Sequence, residues 1–541
     1  MTEKQENHGR FYWLLKHSTG WALGFAKRHW LIFAIILAAS GLELFIARGY
    51  VYEYVITVRK FFGSFLAAIT AVGIFYWLAR KHKWRGKLLL ILIYLVIGFG
   101  IYEIGKPIHH YLAQYYCYKV TDTVELEQLP ETAYERILPL NSVFSQAREL
   151  VQDNVQPDEP HFVRIGDQYR FTMGIEPIPL MPRIFSGVRQ VYNIDGTTPA
   201  PDWGLQNLIN VRFEVGEDLK WGRNAYVAVS RAFGPWRYFN YEPDGVIYLQ
   251  DDSGKLVQVV PLIRWKGLIF PRPIFGGVQV IEQSPDGLLQ SVRRTLVGCG
   301  YYVSPAKMKN YPFLNGQNVL SYKVSRYVAD SFKFHNGILS PLPGIHNGDI
   351  RIADMPEDMN DQPFTIFFRL GQFGGKDTLY HYFSLQPYAE KSQGLSISLF
   401  VPADGRGKNF IFSHHKKEPM LGVTAVTSKV IGDHKFFDWT MIRPVEQRPY
   451  INKINGKTRL YWLTTIVTLD SKDNKHHIAG SRPDVVLTDA ANQCVYWMES
   501  ADPKTWKTQL EANVTFKPVM GGAPQAEKVE PAVSEKIIVE Q

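Results

Sequence analysis

Cysteine is scarce in this chain, with three residues in 541: Cys117, Cys299 and Cys494. So few cysteines exclude a scaffold built on disulfides, which needs several pairs. Because a free cysteine behaves as a small apolar side chain, the sequence favours three buried thiols. A single Cys299–Cys494 bridge stays open as an alternative for an oxidising compartment.

The sequence also lacks an excess of either charge over most of its length. Residues 1–106 hold fourteen Lys/Arg and five Asp/Glu, which accounts for the whole net charge of +9, whereas residues 107–541 hold 46 of each sign. Proteins that bind nucleic acids usually present a basic surface. The balance therefore predicts no nucleic-acid partner, and it places the extra cations where they can set membrane topology.

Signatures of catalysis and nucleotide binding are missing too. The sequence contains no P-loop, no dinucleotide fingerprint, no GxSxG, no HExxH and no CxxC pair. We therefore predict no cofactor and no metal, and we regard an enzyme as the less favoured class. Carboxylates that act on sugars meet only in the fold, so Glu176, Asp202 and Asp438 remain conceivable candidates that nothing in the sequence singles out.

What the sequence does have is three apolar runs near its N-terminus. They cover residues 31–47, 61–79 and 88–104 and are bracketed by cations. About 20 predominantly apolar residues cross a hydrocarbon core of about 30 Å. We predict three transmembrane α-helices within residues 29–106. A cleavable signal peptide fits poorly because two further runs follow the first.

The distribution of Lys and Arg around these runs predicts their orientation, because cytoplasmic loops carry the excess of cations. One side has only Arg48, Arg59, Lys60 and Lys106. The other has ten, which lie before the first run or between the second and third: Lys4, Arg10, Lys16, Lys27, Arg28, Arg80, Lys81, Lys83, Arg85 and Lys87. The N-terminus is therefore expected in the cytoplasm, the runs in the inner (plasma) membrane, and residues 107–541 in the periplasm or outside the cell.

Residues 1–28 combine aromatic and basic side chains, with Trp21 and Phe25 following the segment 11–16. Aromatic rings favour the membrane–water interface. We expect a cytoplasmic segment with a helix in the headgroup layer. A helix docked on a partner protein is the alternative.

Two acids, Glu43 and Glu103, lie inside the apolar runs. Ionisable groups in membrane helices are candidates for proton or ion coupling. Both acids fall in the last turns on the expected outer side, near Arg48 and Lys106. Snorkelling to the interface beside a cation would satisfy them equally well.

Beyond residue 107 the patterns predict a mainly β (α+β) soluble region. Two hairpins are expected, one over 161–173 with a turn at Gly166-Asp167 and one over 245–260 with a turn at 251–254. A helix over 141–151 is expected to be capped by Asn141 and Ser142. Further elements are expected as strands at 277–281, 364–370, 396–401, 422–430 and 458–468, as one more hairpin of strands 485–488 and 493–497, and as a helix at 288–296.

Turn-forming residues cluster between 305 and 365, which predicts a boundary between two or more domains, 107–340 and 341–516. The Pro-, Ala-, Glu- and Lys-rich residues 517–541 are expected to form a disordered tail.

These patterns favour a membrane-anchored scaffold or binding component of a cell-envelope assembly. Its expected partners are the lipid bilayer and either other envelope proteins or further copies of itself, since small residues in the runs permit close helix packing. Two alternatives stay open. One is an extracytoplasmic hydrolase that acts on envelope polymers, and the other is a sensor or transport accessory subunit.

Overall fold

In the computed structural model the chain is described at residues 30–79, 84–151, 154–198, 204–284, 287–346, 348–353, 362–388, 394–414, 419–434, 437–440, 442–470 and 477–516. The expected interfacial helix within 1–28 and the expected tail, 517–541, lie outside these ranges. The described residues form a mixed α+β protein that is rich in strands, as the sequence predicts.

The described part of the chain contains helices of very different lengths. Three long ones come first and the others punctuate the strands: α1 Trp30–Lys60, α2 Phe62–Ala79, α3 Trp84–Val120, α4 Leu140–Leu150, α5 Leu180–Phe185, α6 Ala225–Arg231, α7 Pro235–Tyr238, α8 Leu288–Val297, α9 Tyr322–Ser331, α10 Val423–Asp433 and α11 Pro503–Phe516.

Strands occupy much of the remainder. In chain order they are β1 Thr123–Glu125, β2 Glu131–Tyr134, β3 Val155–Pro157, β4 His161–Ile165, β5 Gln168–Pro177, β6 Val188–Asp195, β7 Leu208–Phe213, β8 Tyr241–Pro243, β9 Ile247–Gln250, β10 Leu256–Lys266, β11 Arg272–Ile281, β12 Tyr301–Val303, β13 Ile350–Ile352, β14 Phe364–Arg369, β15 Thr378–Pro387, β16 Gly394–Leu395, β17 Ile397–Pro402, β18 Asn409–Ser413, β19 Met420–Leu421, β20 Ile442–Ile454, β21 Lys457–Asp470, β22 His477–Asp489 and β23 Val495–Trp497.

The strands form four larger sheets and one small pair. A seven-stranded sheet has the order β1-β18-β17-β15-β14-β2, with β13 also on β15. Two five-stranded sheets follow the orders β3-β5-β6-β7, with β4 on β5, and β12-β11-β10-β8, with β9 on β10. The fourth is the meander β20-β21-β22-β23, and β16 pairs with β19. All the pairs between these strands are antiparallel except β1 with β18.

The predicted hairpins lie where their turn residues place them. β4 pairs with β5 around Gly166, whose φ is +59°, and β9 pairs with β10 around the turn that ends at Gly254, whose φ is +84°. Glycine adopts such left-handed backbone at little cost. The predicted helix at 288–296 is α8, and the other predicted strands are found apart from 422–430.

Two local predictions were wrong. Residues 422–430 were expected as a strand, but residues 423–433 form helix α10. Their valines repeat at helical spacing, so that Val423, Val426 and Val430 all point into one core. The helix over 140–150 begins directly after Pro139, so Asn141 and Ser142 lie inside its first turn and not before it, where a capping residue would lie.

The apolar runs coincide with α1–α3 except at Phe61, which lies between α1 and α2, and α1 and α3 are longer than their runs. α1 continues to Lys60, and α3 continues through Pro107 to Val120. α2 and α3 pack closely. A Cβ on Gly98 would lie 2.5 Å from Val72, and one on Gly105 would lie 3.0 Å from Ser64.

Within the described residues, no single helix combines the length and the apolarity needed to cross a membrane. The segments Ala47–Lys60 and Phe62–Trp77 meet that requirement only as a pair, and they meet at an angle of 82°. Transmembrane helices therefore stay a prediction of the sequence.

The cores connect sheets that are distant in sequence. The largest core lies between the seven-stranded sheet, α10 and the β20–β23 meander and includes Tyr382, Val426 and Trp462. The seven-stranded sheet takes β1 and β2 from before residue 135 and the rest of its strands from beyond 349. It thus combines strands from both sides of the boundary expected near residue 340.

Candidate functional site

The structure gives the two acids of the apolar runs ordinary surroundings. Glu103 is 43% exposed and its carboxylate lies 2.7 Å from the Lys106 ammonium. Glu43 is exposed on α1. Arg48, the cation expected beside Glu43, donates instead to the main-chain oxygens of Arg231 and Leu296.

The cations expected to set the topology are only partly described. Arg80, Lys81 and Lys83 lie outside the described residues, as do the side chains of Arg85 and Lys87. Arg85 and Lys87 lie at the start of α3, and residues 80–83 come between α2 and α3 in the sequence.

Of the acids considered for sugar chemistry, the structure describes Glu176 and Asp438, and these two have different surroundings. Glu176 is buried, and its two carboxylate oxygens accept the backbone N–H groups of Glu217 and Asp218 at 2.7 and 2.9 Å. Asp438 accepts hydrogen bonds from Thr440 at the surface. Asp202 lies outside the described residues.

A different set of residues converges on a cavity of about 260 Å³. It lies where β4, α6, the end of β8 and the start of α9 meet. We call it the polar cleft and define it by six side chains: His161, Glu217, Tyr226, Asp244, Ser321 and Lys323.

One wall of the polar cleft is built around Tyr226. Helix α6 starts at Asn224, whose side-chain oxygen accepts from the N–H groups of Tyr226 and Val227. The Tyr226 hydroxyl donates a short hydrogen bond to Glu217 and accepts the N–H of Gly245 at 3.1 Å. The helix cap therefore fixes the ring that holds the Glu217 carboxyl in place.

Burial raises the pKa of Glu217, although the Tyr226 hydroxyl and the nearby His161 ring oppose this shift. Two further acids lie beneath it. Burial raises the pKa of Glu176 to about 7 against the two N–H groups that it accepts. Burial, together with the neighbouring carboxylates Glu176 and Glu217, also raises the pKa of Asp158. Three neighbouring carboxyl groups in and beside the cleft, those of Glu217, Glu176 and Asp158, therefore hold protons more tightly than usual.

The opposite wall is an ion pair at the start of α9. Ser321 precedes this helix, donates to one oxygen of Asp244 and accepts the N–H of Lys323. The Lys323 ammonium lies 2.6 Å from the other Asp244 oxygen. Burial lowers the pKa of Lys323, but the charge and hydrogen bond of Asp244 outweigh it and the net shift is upward.

His161 is the least satisfied polar group of the cleft. The side chain is 5% exposed, and among the described residues neither ring nitrogen meets a hydrogen-bond partner. His381 makes the contrast clear. It is fully buried, and its two ring nitrogens meet Ser325 at 2.9 Å and Asn318 at 2.8 Å. Buried polar groups normally have partners, so the two ring nitrogens of His161 remain available to a water molecule or a ligand in the cleft.

A second arrangement of interest joins the long helices to the sheets, and we call it the seam. It is formed by Arg48, Arg59, Lys60 and His109. Arg59 donates to the Asn240 side chain at 3.0 Å and to the oxygen of Trp265 at 3.1 Å. Lys60 pairs with Glu242 at 2.8 Å, and His109 lies 2.6 Å from the oxygen of Ile269.

An apolar core and a close backbone contact also join the long helices to the sheets. Tyr52 and Ile56 on α1, each 4% exposed, belong to the same apolar core as Val229 of α6 and Leu262 of β10. Gly63 admits the oxygen of Ile269, which would lie 2.7 Å from any Cβ there. Small residues of the runs thus serve contacts within the chain.

The three cysteines are unpaired, with Cys117 buried and Cys299 and Cys494 partly buried, so the Cys299–Cys494 bridge is not formed. Within the described ranges, no group of three or more His, Cys, Asp or Glu side chains is arranged to hold a metal ion. Comparison with protein-family models, curated proteins and solved structures found no match to this chain.

Sequence reasoning missed the polar cleft because its members are spread over residues 161–323 and follow no motif. One local signal was present, since Asn224 and Ser321 are both good residues to precede a helix. That signal predicts helix starts and does not reveal that the two starts face each other.

Proposed function

We propose that the chain is a membrane-anchored scaffold or binding component of a cell envelope. In this proposal α1–α3 hold it in the inner membrane, its N-terminus is cytoplasmic, and its β-rich region lies outside and meets other envelope proteins or further copies. The observation that carries the proposal is the seam, because it fixes a large β-rich region to one end of an apolar helical hairpin.

Exposed side chains on that hairpin support the membrane part of the proposal. Ile69 and Ile74 of α2 are 52% and 54% exposed, and Val96, Phe99 and Ile104 of α3 are 64%, 65% and 69% exposed. Exposed apolar side chains in such number on two packed helices fit a lipid environment.

The partners of the cations support the orientation. Arg48, Arg59 and Lys60, three of the four cations assigned to the outer side, contact the β-rich region. The segment that holds five of the ten cations assigned to the cytoplasm joins the opposite ends of α2 and α3. The β-rich region then lies across the membrane from the basic loop, as the positive-inside rule requires.

The seam also favours a scaffold or binding role, because the β-rich region is held in place and is not a domain that moves freely on a linker. A region whose apolar core includes two side chains of an anchor helix keeps a fixed height and orientation above the bilayer. Such rigidity reduces the entropy lost when a partner binds.

Cysteine accessibility tests the topology in intact cells. A cysteine at Ser253, in the exposed β9–β10 turn, should react with a membrane-impermeant maleimide, whereas one at position 83 should react only after lysis. The reverse pattern would place the β-rich region in the cytoplasm and refute the proposal. The partner part is tested by crosslinking in cells and by mass measurement in mild detergents, where monodisperse monomer without crosslinked partners would refute it.

The polar cleft favours a second candidate, an extracytoplasmic hydrolase of envelope polymers. A carboxyl group with a raised pKa beside an unpartnered histidine is a combination that suits acid–base chemistry. Purified peptidoglycan fragments incubated with the protein and analysed by mass spectrometry provide the test. Cleavage that is lost in His161→Asn and Glu217→Gln would support this candidate, and intact fragments with the natural protein would count against it.

A further inference from the structure

Helix α8 has its polar and apolar faces reversed with respect to the protein. Its polar face is turned inward, where Arg294 pairs with Glu214 at 2.7 Å and both side chains are 8% exposed. Its apolar residues are turned outward, with Leu288 86%, Leu289 81% and Val297 62% exposed. A helix on a water-facing surface buries its apolar stripe, so the outward face of α8 requires another apolar phase.

The tip of the β10–β11 hairpin is a second exposed apolar group. Leu268 and Ile269 are 68% and 51% exposed, and Phe270 is 36% exposed. Seam residues hold this tip against the long helices, because Arg59 donates to main-chain oxygens of the tip and His109 contacts the oxygen of Ile269.

Both apolar groups adjoin the same stretch of α1, at its two ends. Arg48 donates to the oxygen of Leu296 in the last turn of α8 at 2.7 Å, and Arg59 reaches the hairpin tip. Eleven residues of helix separate the two arginines, a rise of about 16 Å. The Tyr238 hydroxyl also donates to the main-chain oxygen of Arg48 at 2.6 Å, and its sequence neighbours Trp236 and Phe239 are exposed.

The angle of 82° between Ala47–Lys60 and Phe62–Trp77 determines how far the two exposed apolar groups lie from the bilayer. When α2 runs along the membrane normal, Ala47–Lys60 runs nearly parallel to the membrane plane. The first apolar run, at the start of the same helix Trp30–Lys60, crosses the bilayer in this arrangement if α1 bends before Ala47. The two ends of Ala47–Lys60, and the apolar groups attached to them, then lie at a similar height. That height is the outer surface of the bilayer, because α2 enters the apolar layer directly after Lys60.

We propose that α8 and the β10–β11 tip lie in the outer headgroup layer of the bilayer that holds α1–α3. Leu288, Leu289 and Val292 then face the acyl chains, and the exposed Arg293 is at the level of the lipid phosphates. The β-rich region thus rests on the membrane at two points beside its anchor. This inference rests on the proposed anchoring, and it adds a peripheral contact that the three apolar runs do not predict.

The test uses the full chain in phosphatidylcholine/phosphatidylglycerol vesicles that contain nitroxide-labelled lipid. Single cysteines carrying an environment-sensitive fluorophore are placed at Leu289, Leu268, Phe99 and Ser253, in a background with Cys299→Ser and Cys494→Ser. Phe99 lies within the third apolar run and reports the anchor. Ser253 is the matched exposed control, because its turn precedes β10 and the hairpin tip follows that strand, about 36 Å away for 11 residues of antiparallel strand.

We expect nitroxides near the headgroup to quench the labels at 289 and 268 at least twofold more than the label at 253. Quenching at 289 and 268 equal to that at 253, with label 99 strongly quenched by deep nitroxides, would overturn the peripheral contact and leave the anchor in place. Failure of quenching at 99 as well would overturn the anchoring proposal itself. Protection of label 289 from water without quenching by lipid would assign the α8 face to a protein partner and refute the inference.

Discussion

The buried Glu446 carboxylate provides the sharpest test of how the chain is held together. It lies between two guanidinium groups, with its Oε1 2.9 Å from Arg136 and its Oε2 in a shorter contact with Arg448, and all three side chains are at most 2% exposed. Arg136 lies just after β2 and Arg448 lies on β20. The carboxylate therefore joins segments more than 300 residues apart.

We expect Glu446→Gln to lower the free energy of unfolding by about 3–5 kcal/mol, the usual cost of removing one partner from a buried ion pair. Two guanidinium groups would remain buried beside a neutral amide. Burial already lowers the pKa of Arg448 to about 10, although Glu446 opposes the shift. Glutamine has nearly the same size as glutamate, and it bears the same backbone strain at φ +54°. The loss of stability in the variant therefore measures the effect of removing the charge.

Urea unfolding in a mild detergent, followed by tryptophan fluorescence, measures this loss. Asp122→Asn is the matched control, because its pair with Lys408 spans 3.7 Å between side chains that are 68% and 59% exposed. Exposed pairs contribute about 0–1 kcal/mol. In Glu446→Gln/Arg136→Met one buried charge is removed together with its partner, and part of the stability should return. A loss in Glu446→Gln no larger than in the control would refute the reasoning.

Three further predictions concern other parts of the chain. The pKa of Glu176 is raised to about 7, so its contribution to stability is complete below its unfolded pKa of about 4.3 and is lost as the pH rises through 7. In the natural protein the urea midpoint should therefore fall between pH 5 and 8, and Glu176→Gln should make that fall less steep. An unchanged slope in the variant would contradict the assignment. Trp462→Phe should lower the free energy of unfolding by about 2–4 kcal/mol, because the fully buried indole lies in the largest core and donates to a main-chain oxygen at 2.7 Å. The control Trp221→Phe changes a side chain that is 63% exposed, and it should lower the free energy of unfolding by less than about 0.5 kcal/mol. Glu43→Gln and Glu103→Gln should leave membrane insertion and protein level unchanged, as measured by carbonate extraction and immunoblotting; loss of biological activity at normal protein level would instead favour an ion-coupled role.

Individual hairpins could be predicted from the sequence, because the residues that form them are neighbours along the chain. The hairpins at Gly166-Asp167 and at 251–254 were predictable, because turn residues that tolerate left-handed backbone are flanked by β-rich runs. Residues 423–433 show the limit of this reasoning. β-branched residues favour strands in general, but here the spacing of three valines matches a helix packed against the β20–β23 meander in the largest core.

Long-range assembly was not predictable, since it depends on partners that no local pattern specifies. The parallel pairing of Thr123 with Asn409 in β1 and β18 is one example. The polar cleft is another, because His161 and Lys323 are ordinary strand and helix residues until the fold brings β4 and α9 together. Helical periodicity likewise identified α8 but not which of its faces meets the protein.

The reversed helix and the seam follow from one physical condition. If water surrounded the whole surface, the outward leucines of α8 and the exposed isoleucines of α2 would each destabilise the folded chain by leaving apolar area hydrated. A bilayer in contact with both removes that cost, while the cations between them keep polar partners, as Arg48 and Lys60 do. Because Tyr52 and Ile56 of α1 complete an apolar core shared with β10, the anchor helix is also part of the fold of the β-rich region, and the two are expected to fold as one unit.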